Sequence, residues 1–152
     1  MVCDHNECTC EQVRAQRDAK DRYNEPGGNV HYERFEEEVY LNILKGEDFS
    51  YGVFSHKVMG VDTYNEVKAS ERYVIEGSYS FHPRLRKYSD FKVFLTQNKE
   101  SQKKRIIKRN GQEIWKMFES KWIPLEENYI LYYNIENKCE IYKKINKEMT
   151  EC

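Results

Sequence analysis

The chain has 152 residues, 39% apolar and 34% charged, with a mean hydropathy of −0.93, which fits one water-loving domain of ordinary size. Lysine and arginine number 25 against 26 aspartates and glutamates, and this near-cancellation argues against a dominant polyanion-binding surface, so nucleic acid is not an expected partner. No apolar run approaches the roughly 18 residues of a membrane span, and the N-terminus carries no hydrophobic signal region, so a cytoplasmic protein without a membrane partner is expected.

Residues 1–24 form a polar segment without clear periodicity, and EPGGN (25–29) is a strong breaker before the main domain, expected over 25–145. Asn29 can cap a helix whose Tyr32, Phe35, Val39 and Ile43 share one face. Gly46 is placed to end it, with Lys45 in the last turn. Residues 49–70 alternate β-branched and aromatic residues with glycines and read as one or two short hairpin strands. Tyr73–Ile75, in RYVIEGSYSFHP, reads as a buried strand that runs straight into Glu76 and Gly77. His82–Pro83 then starts a turn, and Leu85 and Tyr88 suggest a short helix.

FKVFL (91–95) is the second strand candidate, and residues 100–110 read as a charged helix stopped by Gly111. Ile114, Trp115, Phe118 and Trp122 then recur at helical spacing until Pro124, expected to break that helix and open another. CEIYKKI (139–145) reads as a last strand, and 146–152 as a polar tail. Strands alternating with helices imply an α/β layer with a mainly parallel sheet.

Two features suggest chemistry. Ligands of α/β sheets bind at the carboxyl ends of strands. Glu76 at such an edge is therefore either a Mg²⁺-holding carboxylate or a turn acid. Arg105 and Arg109 are four apart, so they share a helix face. They suit either bidentate clamping of phosphate oxygens or a solvated basic face. A third feature is CDHNECTC, which gathers Cys3, His5, Cys8 and Cys10. Its spacing matches no common two-knuckle zinc site, and reduced free thiols are expected there rather than zinc or a disulfide framework.

In order, EPGGNVHYERF, FSYGVFSHK, VIEGSYSFHP, DFKVFLTQ, QKKRIIKRNG, KWIPLEENY and CEIY resemble blocks of the bacterial uridine kinase-like P-loop proteins, over about Glu25 to Tyr142. The resemblance implies a P-loop kinase-like three-layer α/β/α fold and ATP- and Mg²⁺-dependent phosphorylation of a nucleoside or similar small hydroxyl acceptor. It implies Glu76 near the metal and the acceptor hydroxyl. Arg105 and Arg109 would meet the donor phosphates. Tyr51, Phe54 and His56 would lie in the acceptor pocket, although hairpin packing accounts for these three as well. Asp4 is the one match to the family's early catalytic acid, as general base.

One departure matters. None of the seven glycines is followed by Lys-Ser or Lys-Thr, so the sequence contains no G-x-x-x-x-G-K-[ST] loop. The N-terminal P-loop strand is missing from this reading, and the expectation is an incomplete or inactive phosphotransferase. A homodimer or a complementing P-loop-bearing chain would fill the gap. The alternatives are a non-catalytic binding module derived from the same scaffold and a Cys/His metal-binding regulator.

Overall fold

The computed structural model describes residues 25–55, 58 and 60–145, which fall into two compact units dividing between Tyr88 and Ser89. Asp4, His56, the Cys3/His5/Cys8/Cys10 cluster and the 146–152 tail lie outside the described residues.

In the first unit the breaker folds as expected: Gly27 takes φ +85°, and the Val30 N–H donates to the Gly27 carbonyl at 3.1 Å. His31, rather than Asn29, caps the helix; Asn29 is instead buried. The helix runs as α1 (Tyr32–Phe35), a π turn (Glu36–Tyr40) and α2 (Leu41–Lys45), and it ends on Gly46 at φ +72°. Tyr32, Val39 and Tyr40 are buried. Tyr32 and Tyr40 pack with Leu85, flanked by Phe35, Ile75 and Tyr88.

β1 (Phe49–Ser55) and β2 (Gly60–Val67) form the expected antiparallel hairpin, with a register shift between Val53 and Phe54. Asp48 closes its base by pairing with Lys68 at 2.7 Å and accepting the Ala69 N–H at 2.8 Å.

The expected strand at Tyr73–Ile75 is irregular backbone, and Val74 is 79% exposed. The segment pairs with no described strand; only Ile75 reaches the core. The local hydrogen bonds Ser70 N–H to the Tyr73 hydroxyl and Ser70 Oγ to the Arg72 carbonyl hold it in a bent path instead. From Gly77 a turn leads to α3 (Pro83–Arg86), where Pro83 occupies the first turn without a lost hydrogen bond.

The second unit begins with β3 (Val93–Gln97) and α4 (Lys99–Asn110). Asn98 caps α4 by accepting the Ser101 N–H at 2.8 Å, and Gly111 closes it at φ +86°. α5 (Gln112–Met117), a π turn (Phe118–Trp122) and α6 (Ile123–Tyr132) then follow without a break.

Pro124 opens α6 in its first turn, as expected, but the preceding segment runs into it through the π turn instead of being broken. The Ile123 N–H reaches back to the Phe118 carbonyl, and this wider turn accommodates the ring and the absent donor of Pro124. Trp115, Tyr129 and Ile135 are buried, the last in a short 3₁₀ turn (Ile135–Asn137). β4 (Ile141–Ile145) pairs in parallel with β3, and Phe94 stacks on Tyr142 at 5.7 Å.

The described architecture is thus mixed α/β. Its strands form two sheets of two strands each, and the parallel pairing is confined to β3 and β4. Val93, Leu95 and Ile141 on that pair are exposed.

Candidate functional site

Glu76 sits in the irregular segment of the first unit, solvent-exposed, and makes no ion pair or hydrogen bond among the described residues. Gly77 follows it at φ +154°, a conformation that side chains resist, so the glycine sets the turn direction after the acid. The Ser80 hydroxyl and backbone N–H both donate to the Gly77 carbonyl, at 2.8 and 3.1 Å. Glu76 thus projects from a tight turn as an accessible carboxylate, rather than standing at the end of a buried strand.

Tyr51 and Phe54 lie on β1, both half-buried. The Tyr51 hydroxyl accepts a hydrogen bond from Asn65 Nδ2 at 3.0 Å across the hairpin, and Phe54 falls at the register shift.

Arg105 and Arg109 belong to the second unit, where α4 carries both as exposed side chains. Arg105 Nη1 donates to Gln97 Oε1 at 3.3 Å, and Arg109 Nε donates to Asn110 Oδ1 at 2.8 Å. Their neighbours differ: Lys99 pairs with Glu127 at 2.8 Å and Lys104 with Glu100 at 3.2 Å. Two guanidiniums therefore meet only neutral amide oxygens among the described residues, which leaves their positive charge uncompensated and open to an anion.

Sequence reasoning missed a concentrated charge cluster among the described residues of the first unit. Glu36 opens the first π turn and is only 5% exposed. Arg84 Nε bonds one carboxylate oxygen, while Lys87 Nζ at 2.9 Å and the Tyr88 hydroxyl at 2.6 Å bind the other. Hydrogen bonds from Tyr88 and Lys87, then the bond and charge of Arg84, outweigh burial and hold the Glu36 carboxyl down at about 2.

A carboxylate so saturated and so acidic is ionised at neutral pH and makes a poor general base. Its work is to tie the α1–α2 helix to α3. The sequence did carry a signal for it. Glu36 falls four residues after Tyr32 and four before Tyr40, inside the apolar stripe, and Arg84, Lys87 and Tyr88 recur at helical spacing.

A second carboxylate locks the hairpin. Arg34 Nη2 bonds Glu38 Oε2 at 3.0 Å and the Gly52 carbonyl at 2.7 Å, and the Gly52 N–H donates to Glu38 Oε2 at 2.9 Å. Burial raises the Glu38 carboxyl, but the hydrogen bonds from Arg34 and Gly52 prevail and hold it below its ordinary value.

No set of three or more His, Cys, Asp or Glu side chains among the described residues is placed to hold a metal ion. Among the described residues no helix is long and apolar enough to cross a membrane. Compared with known proteins, the chain matches no family model and no curated protein.

Proposed function

We propose that this chain is a uridine kinase-like phosphotransferase unit, built on a P-loop kinase-like α/β/α plan. It would carry acceptor-side and lid groups but, within its 152 residues, no loop to cradle the donor phosphates. In this reading Arg105 and Arg109 of the second unit meet the phosphates of ATP, and Glu76 of the first unit is the carboxylate assigned to Mg²⁺. Tyr51, Phe54 and His56 border the nucleoside, and Asp4 orients its hydroxyl. Mg²⁺, when bound with the nucleotide, supplies charge neutralisation on the transferred group.

The observation that carries the reading is the pair of exposed guanidiniums on one face of α4 with no carboxylate partner among the described residues. The parallel β3–β4 pair joined through helices also fits one strand–helix–strand step of such a plan. Because most catalysis of phosphoryl transfer is positioning and electrostatics, loss of the phosphate-cradling loop removes more than loss of a base. The chain alone should therefore bind nucleotide weakly without turnover.

The test incubates the chain with Mg·ATP and a nucleoside panel and follows monophosphate formation, with amide-resonance titrations by ATP and by nucleoside alongside. Binding without product supports the reading. Absence of any binding removes it, and robust product formation overturns the consequence assigned to the missing loop.

A second reading, a non-catalytic interaction module, is favoured by one observation. Parallel strands ordinarily lie in sheets covered on both faces, yet Val93, Leu95 and Ile141 are exposed. Sedimentation over a range of concentrations separates the two: self-association without nucleotide binding would select the interaction module.

A further inference from the structure

A strand at the edge of a sheet offers unpaired backbone groups to any other strand, and proteins guard such edges with charged side chains, lysine above all, or cover them. Among the described residues each of the two-stranded sheets has two such edges. Three of the four strands are dealt with. β1 is covered at its middle, where the Gly52 carbonyl accepts from Arg34 and the Gly52 N–H donates to Glu38. β2 carries Asp62 and Glu66, and β4 carries Lys143 and Lys144.

β3 reads VFLTQ and carries no charge. The cation beside it, Lys92, pairs with Glu140 at 3.6 Å. Val93 and Leu95 are 41% and 57% exposed. The pairing with β4 fixes which backbone groups are open. The Ile141 N–H bonds the Lys92 carbonyl, and alternate residues of a strand face the same neighbour. Lys92, Phe94 and Thr96 therefore turn their backbone groups to β4. Val93, Leu95 and Gln97 turn theirs to the other side, where no described strand pairs.

We propose that β3 pairs with β3 of a second copy of this chain, antiparallel about a two-fold axis at Leu95, to make one four-stranded sheet with the two β4 strands outermost. The proposal rests on the interaction-module reading of the exposed β3–β4 pair and names its partner.

Symmetry and ladder geometry give the register. A two-fold contact is self-complementary, and in an antiparallel ladder residues with outward backbone groups must meet one another. Centring on Leu95 satisfies both and uses the whole strand: Leu95 faces Leu95, Val93 faces Gln97, and Phe94 faces Thr96. The same contact through β4, centred on Lys143, would set two lysines directly opposite each other, which is destabilising. The charge pattern thus selects β3 as the joined edge and β4 as the solvent edge. A contact of five residues a side is small, so the pair is weak and reversible.

The experiment is sedimentation equilibrium on the full chain over a range of concentrations, with amide hydrogen exchange at the dilute and concentrated ends, for the native chain, Leu95→Glu and Ile141→Glu. Leu95 stands opposite Lys143 in its own sheet. A glutamate there gains an opposite charge within each copy and meets a like charge across the two-fold, so the variant keeps its fold and loses its partner. The dimer dissociation constant should rise roughly ten-fold in Leu95→Glu and stay unchanged in Ile141→Glu, the same change on the guarded strand. In the native chain the amides of Val93, Leu95 and Gln97 should gain protection with concentration. A dimer undiminished in Leu95→Glu, weakened equally in Ile141→Glu, or formed without protection of those three amides overturns the β3 edge and leaves an interaction module standing. A chain monomeric at every concentration overturns both.

Discussion

Arg34 and Gly52 are joined so closely that a side chain at position 52 has no room: the guanidinium bonds the Gly52 carbonyl at 2.7 Å, and a Cβ on Gly52 would lie 2.5 Å from the same nitrogen. Val61 Cγ1 would stand 2.7 Å away on the facing strand. Arginine side chains usually yield to such an intrusion, but this one is fixed at both ends by Glu38.

Gly52→Ala should therefore cost about 1–3 kcal/mol, the range for overpacking a fitted contact, and should loosen the hairpin from the helix. Urea unfolding of the two proteins measures it. An alanine variant of wild-type stability would show that Arg34 is free to swing away.

Glu36→Gln should cost about 1.5–3 kcal/mol, the worth of hydrogen bonds to a charged group, rather than the larger penalty of an abandoned buried charge. The reason is that the orphaned partners Arg84 and Lys87 keep side-chain exposures of 45% and 55% and can return to water.

The same variant carries a pH signature. The folded-state carboxyl is held at about 2, below the ordinary value of roughly 4.3, so its contribution is complete above that ordinary value and fades as pH falls toward 2. The stability gap between wild type and Glu36→Gln should be constant from pH 7 to 5 and narrower at pH 3. A gap independent of pH would contradict the assignment of the ionised cluster as the tie between the helix and α3.

Pro124→Ala restores an N–H in the turn that the second π segment now accommodates. Helix content by circular dichroism should be unchanged. Stability should stay within about 1 kcal/mol, because the regained hydrogen bond is opposed by the greater freedom of the unfolded chain. A loss of several kcal/mol would show that the proline is required for the path of the helix.

Local rules read most elements well. Gly46 and Gly111 stop their helices, the 49–70 segment forms its hairpin, and the Phe91–Leu95 and Cys139–Ile145 readings lie within a few residues of β3 and β4. These depend on neighbours in sequence. The failures depend on partners elsewhere in the chain. Tyr73–Ile75 has strand composition, but a strand needs a ladder, and no described strand offers one.

Pro124 looks like a breaker unless the preceding turn widens, which composition does not announce. Of the site, the shared helix face of Arg105 and Arg109 was legible from their spacing, whereas Glu76 was expected at the end of a buried strand and stands exposed in irregular backbone. Glu36 was hidden because acids at positions 36–38 read as a solvated run, and only the apolar stripe around the first of them marks it as buried.

The central claim is that α4 presents Arg105 and Arg109 to the phosphates of a nucleotide. Titrating ATP, with and without Mg²⁺, into the chain and into an Arg105→Ala/Arg109→Ala variant while following amide resonances tests it most directly. The account predicts salt-sensitive shifts along α4 in the native chain that are lost in the double variant, whose fold is otherwise unchanged because both side chains are exposed and bonded only to amides. Shifts of equal size in both proteins, or none along α4 in the native chain, would contradict it.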